Sequence, residues 1–132
     1  MTMRSNTFCR TLALGLLLGL ASVLPSTTEV HAVAARDRWA TVRADATLVR
    51  GRGVTDVLDL GGGGGFYEVE FDKKVVNCLY VATLGTGSPG TAQLGEIGVA
   101  PRAGNQNAVF IVTRDSAGIV AERPFHLFVG CR

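Results

Sequence analysis

The chain has 132 residues, 47% of them hydrophobic and 18% charged, with 17 Gly, 4 Pro, 3 Cys and one Trp, which suits one small folded domain and excludes a multidomain enzyme. Its formal net charge of +2 provides no basic field of the kind that dominates nucleic-acid affinity, so neither DNA nor RNA is expected as a partner.

The first residues read as an address. Arg4 and Arg10 form a positive region, residues 12–24 are an uncharged run of Leu, Ala, Gly, Val and Ser, and Pro25 and a polar stretch to Glu29 follow, the pattern of a secretory signal peptide. The run falls short of the ~20 apolar residues a spanning helix needs, so no membrane span is expected in the mature chain. Ala32-Val33-Ala34 fits a cleavage signal with Ala35 as the new N-terminus, and Val30-His31-Ala32 is a second candidate. No Cys follows the run at the cleavage point, so a lipoprotein anchor is not expected and Cys9 leaves with the signal. The chain thus divides into a signal peptide helix, residues 1–34, and a single β domain, residues 35–132, exported to an extracellular or periplasmic space. Removing Arg4, Arg10 and Glu29 leaves 11 basic and 10 acidic residues, a net charge of +1.

A domain this small buries only about 60–70% of the surface its unfolded chain exposes, so a covalent or quaternary staple would help it. Cys78 and Cys131 remain after cleavage. In an oxidising compartment an even count of two leaves one intramolecular connectivity, and a Cys78–Cys131 disulfide is expected. Its long loop corresponds to about 4 kcal/mol in the chain-entropy model. The competing readings, a thiol nucleophile and a metal ligand, find no support: there is no C-x-x-C, and His126 is the only histidine left after cleavage at Ala34, too few for the usual zinc ligand sets. No metal and no cofactor are expected.

From Trp39 onward no window sustains a 3.6-residue apolar period, while short runs rich in Val, Phe, Tyr, Thr and Ile recur between Gly, Asn, Asp and Pro clusters. Seven to eight strands are predicted, near residues 38–44, 47–50, 54–60, 66–71, 77–84, 96–100, 108–113 and 119–129, the last broken or bulged at Pro124, which cannot donate to a ladder. In Phe66-Tyr67-Glu68-Val69-Glu70-Phe71 the alternation assigns Tyr67, Val69 and Phe71 to the core and Glu68 and Glu70 to solvent. Residues 85–90 and 101–107 read as loops, and Asp115-Ser116-Ala117-Gly118 as a type I turn. With no helix to cover a face, the strands must pack sheet on sheet, and the expected fold is an antiparallel β-sandwich of the Ig-like or jelly-roll-like kind. True immunoglobulin topology does not fit, because Trp39 precedes both cysteines.

Residues 78–82, 108–112 and 125–129 are apolar on both faces, whereas a strand with one wet face should alternate. Two explanations stand. A long loop, the Trp39 arm or close packing at a barrel-like corner covers the second face, or the face is a self-association surface, with Val81, Phe110, Val112 and Phe128 as the intersubunit patch.

Catalytic patterns are sparse. The run from Gly61 to Gly65 is followed by a strand and by no Lys-Ser or Lys-Thr, so it is read as a flexible connector and not as a phosphate loop. Glu68, Glu70 and Asp72, and separately Asp56 and Asp59, are weak cation candidates; strand neighbours two apart sit roughly 6–7 Å from one another and need partners from elsewhere. Ser88 and Ser116 lie in loops without a G-x-S-x-G elbow, and His126 is the one imidazole base, read as a solvent or interface residue. Arg50 and Arg52, two apart around Gly51, are ligand candidates for an acidic group, and His126 joins them.

At Gly65-Phe66-Tyr67-Glu68-Val69-Glu70-Phe71, at Cys78-Leu79-Tyr80-Val81-Ala82-Thr83 and at Pro124-Phe125-His126-Leu127 with Cys131 behind it, the chain resembles a group of small, mostly uncharacterised bacterial secreted domains with Gly-x-Tyr-Glu-Val-x-Phe, Cys-x-Tyr-x-Ala-Thr and Pro-Phe-His-Leu motifs and a terminal Cys. The resemblance implies a disulfide-bearing β domain and brings no activity and no catalytic residues. Its five-glycine run is longer than the pattern leads one to expect. Two functions follow from the sequence: a non-catalytic exported binding or assembly module, homo-oligomeric or docked on a cell-surface partner, and, as the alternative, a small extracellular hydrolase or inhibitor acting through Ser116 or His126.

Overall fold

The computed structural model of the protein describes residues 36–90 and 92–132; the segment read as a signal peptide, with both cleavage candidates, lies outside them. Eight strands run in order: β1 (Arg38–Val42), β2 (Leu48–Arg52), β3 (Val54–Asp59), β4 (Phe66–Phe71), β5 (Leu79–Leu84), β6 (Glu96–Pro101), β7 (Ala108–Arg114) and β8 (Phe125–Gly130). They form two four-stranded antiparallel sheets, sheet A in the order β2-β1-β8-β5 and sheet B in the order β3-β4-β7-β6. The expected β-sandwich is present, and its four-plus-four division differs from the four-plus-three of a constant immunoglobulin domain.

Strand ends move from their predicted places for local reasons. β1 stops at Val42 because Arg43 and Thr47 close a turn, with Arg43 N donating to Thr47 O at 2.9 Å and Ala46 in the left-handed region at φ 63°. Cys78 N donates to Val75 O at 2.9 Å, so the chain turns at Val76 and Asn77 and β5 begins at Leu79. The predicted 119–129 strand survives only as β8, preceded by a single bridge from Arg114 to Val120. Pro124 immediately precedes β8, where its missing N–H costs the ladder nothing.

Alternation sorts the core. Ala40 and Val42 of β1, Phe125, Leu127 and Val129 of β8, Tyr67, Val69 and Phe71 of β4, and Val109 and Ile111 of β7 all point inward and are buried. The Tyr67 and Phe125 rings meet across the sandwich with centroids 5.2 Å apart. The Tyr67 hydroxyl donates to the Ala44 carbonyl at 2.7 Å, fastening β4 to the β1–β2 turn of the other sheet. Burial pushes the Tyr67 phenol above its ordinary pKa. At the opposite end Arg38, also inward in parity, reaches across to Asp72, Nε to Oδ1 at 2.7 Å.

The chain passes from sheet A to sheet B at Gly53, whose φ is 71° and whose missing side chain leaves room for Arg38 and Asp72, both about 3 Å from where a Cβ would stand. The glycine run, read from its composition as a flexible connector, forms the tip of the β3–β4 hairpin. Asp59 accepts from Gly61 N at 2.9 Å and Gly63 N at 2.7 Å, and Leu60 N donates to Phe66 O at 2.8 Å, closing an ordered tip on the β3–β4 hairpin.

Cys78 and Cys131 are bonded, with a sequence separation of 53. The bond lies just outside the Leu79–Gly130 pair and ties the edge strand β5 to β8. Replacing both cysteines by serine is expected to lower stability by about 2–4 kcal/mol, read as a drop in Tm by calorimetry, with reductant producing the same drop in the wild type only.

Candidate functional site

The outward side chains of sheet A fall into cross-strand rows. Register sets Arg52, Trp39, Phe128 and Val81 side by side across β2, β1, β8 and β5, and Arg50, Thr41, His126 and Thr83 in the next row. All three ligand candidates from the sequence, Arg50, Arg52 and His126, therefore share one face. In the first row Val81 is 54% and Phe128 42% exposed, Trp39 is half-buried, and Leu79 beyond them is 66% exposed. The Phe128 ring leans over Gly130, where an added Cβ would come within 3.3 Å of it.

The second row is covered at its centre, over Thr41 and His126, while Arg50 and Thr83 at its ends stay exposed. Residues 85–90 fold over it: a Cβ at Gly85 would stand 2.6 Å from His126 Nε2, and one at Gly87 3.1 Å from the Thr41 methyl. Arg50 Nη1 donates to the Gly87 carbonyl at 3.1 Å. Thr41 is consequently only 3% exposed although it points away from the core. Its hydroxyl lies 3.1 Å from His126 Nδ1, so one imidazole nitrogen is engaged and the other faces the loop. Loop coverage thus explains Thr41 and His126 and leaves Phe128, Val81 and Leu79 exposed, with Trp39 half-buried beside them, among the described residues.

Val81 and Phe128 do not share a patch with Phe110 and Val112. The latter pair stands on β7 in sheet B, outward because Val109 and Ile111 beside them are buried, and so on the far side of the sandwich. There Phe110 stacks on Phe66 with centroids 6.3 Å apart. Each of these strands is equally apolar, and only the sheet assignment separates them.

Glu68 departs from its expected solvent position. It is outward in parity yet 7% exposed, because residues 101–107 lie over it: Arg102 Nε donates to Oε2 at 2.7 Å and Asn105 Nδ2 to Oε1 at 2.9 Å. The Arg102 hydrogen bond, reinforced by Asn105 and opposed by desolvation, holds its carboxyl below the ordinary glutamate value. Three of the other four cation candidates have partners of their own. Asp59 binds the glycine amides, Asp56 Oδ1 accepts from Val57 N at 2.8 Å, and Asp72 holds Arg38. Among the described residues no group of three His, Cys, Asp or Glu side chains is placed to hold a metal ion. Ser116 lies in the predicted turn, where Asp115 Oδ1 accepts from Ala117 N and Ile119 N. That turn follows β7 of sheet B, whereas His126 faces outward from sheet A, so the two are not brought together.

Comparison of the chain with protein-family models, with curated proteins and with solved structures found no match.

A carboxyl held below its unfolded pKa stabilises the fold above that pKa and loses the contribution as pH falls through the folded value. Glu68 is therefore expected to make part of the protein's stability disappear on acidification below about pH 4. Arg102→Ala should lower stability at neutral pH and flatten that part of the acid limb, checked by urea unfolding at stepped pH.

Proposed function

We propose that the protein is an exported, non-catalytic assembly module that acts by contact, with the outer face of sheet A as its seam and a second copy of the chain as the occupant. The observation that carries this reading is the row of Trp39, Phe128 and Val81, extended by Leu79, on the solvent side of a sheet whose other side is already packed. Apolar surface gathered in this way favours burial against a partner. A second copy fits because flat apolar sheets pack face to face, as the two sheets do inside the fold, and a two-fold pair requires only one self-complementary patch.

Geometry sets the strength. Four strands about 4.8 Å apart, each five or six residues long at about 3.3 Å per residue, present a face of roughly 15 by 20 Å, of which the loop of residues 85–90 leaves only about half open. That is well below the ~800 Å² per partner of a standard stable complex. The association is therefore weak and rises with concentration. Export is supported by the signal-peptide pattern of residues 1–34, by the Cys78–Cys131 bond, of a kind that persists in oxidising compartments, and by the resemblance to bacterial secreted domains. No helix of the described residues is long and apolar enough to cross a membrane.

Sedimentation velocity at rising concentration tests the seam. Val81→Glu and Phe128→Glu should raise the dimer dissociation constant by about tenfold or more, equivalent to about 1.4 kcal/mol, while Leu58→Glu on sheet B leaves it unchanged. A wild-type chain that stays monomeric at the highest concentration, or a dimer disrupted only by the sheet B variant, refutes the proposal.

A further inference from the structure

The disulfide end of the sandwich gathers five cationic side chains. The only two lysines of the chain, Lys73 and Lys74, are adjacent, and with Arg36, Arg38, Arg132 and Cys131 they line a hollow of about 240 Å³. Five of its six lining side chains are cationic and none is acidic. Asp37 lines the larger neighbouring hollow instead, beside Asn77 and Leu79.

Of the five cations only Arg38 is neutralised. Its Nε donates to Asp72 and its Nη1 to the Arg36 carbonyl, each at 2.7 Å. Arg36, Lys73, Lys74 and Arg132 reach no carboxylate within salt-bridge distance among the described residues. The frame around them is fixed. Asp72 N donates to Gly53 O at 2.8 Å, the buried Val75 donates to Gln106 O at 2.9 Å, and Cys131 is held by the disulfide. The backbone thus holds the lysine pair from both sides while the side chains themselves are exposed.

Like charges held together repel, and a cavity walled by one sign concentrates the opposite ion. Arginine offers planar donor forks and lysine a mobile point charge, a combination suited to an oxyanion approached from several directions. A tetrahedral dianion answers more of this charge than a single carboxylate does. We infer that the hollow binds a phosphate- or sulfate-type group, at a site separate from the sheet A seam.

The test titrates inorganic phosphate and pyrophosphate into the purified protein at low ionic strength, with chloride at matched ionic strength as control, following amide shifts and heat. Saturable binding with a dissociation constant of about 1 mM or tighter is expected, with shifts confined to residues 36–38, 73–75 and 131–132. Lys73→Gln with Lys74→Gln should weaken it about tenfold or more, while Arg43→Gln does not. Co-sedimentation with phosphatidylglycerol vesicles, but not with phosphatidylcholine vesicles, assigns the group to a lipid headgroup; binding of the free anions without vesicles assigns it to a soluble source. Failure of phosphate, pyrophosphate and anionic vesicles alike to saturate the protein, or equal binding by the double variant, overturns the inference.

Discussion

Two inner faces, each apolar at every second residue, must close on one another, and Tyr67 meets Phe125 between them with ring centroids 5.2 Å apart. Those rings belong to different sheets, and both are among the largest fully buried side chains. The Tyr67 hydroxyl would be costly to bury alone; its bond to Ala44 both satisfies it and fastens the β1–β2 turn over the end of the core. At the other end the Arg38–Asp72 pair spans the same gap beside Gly53, where the chain changes sheets. These two ties join the sheets at opposite ends, and β5, an edge strand, is joined to the sandwich through β8 and the disulfide.

A closed interior decides what is left for the outside. Each sheet has a loop folded over part of its outer face: residues 85–90 over Thr41 and His126 in sheet A, and residues 101–107 over Glu68 in sheet B. On sheet B the loop brings charge, an ion pair with an amide beside it, and thereby removes a carboxylate from solvent. On sheet A the loop stops one row short, and Phe128, Val81 and Leu79 continue the face exposed, with Trp39 half-buried beside them. The charged hollow at the disulfide end lies next to this face, since Leu79 pairs with Gly130 and Cys131 and Arg132 follow directly.

Much of the fold was legible because its signals are local. The alternation of Phe66 to Phe71, the turn chemistry of Asp115 to Gly118 and the placing of all eight strands need only neighbours in sequence. The disulfide followed from a count of two. What was not legible is non-local: Val81, Phe128, Phe110 and Val112 lie on strands with the same apolar pattern, and only long-range pairing divides them between sheets. Glu68 was read as solvated because its partners stand 34 and 37 residues away. The order of the glycine run did have a local sign, Asp59 placed two and four residues before amides it can accept from. The basic hollow was invisible for the same reason as the seam, since Arg36, Lys73 and Arg132 meet only after folding.

The single tryptophan of the chain stands in the uncovered row, which makes its accessibility a direct reporter of the proposed seam. Acrylamide quenching of Trp39 fluorescence, measured on the purified protein from dilute to concentrated solution, should fall as copies meet face to face and return to its dilute value in Val81→Glu. Quenching that stays the same at every concentration in the wild type would contradict a contact on the outer face of sheet A.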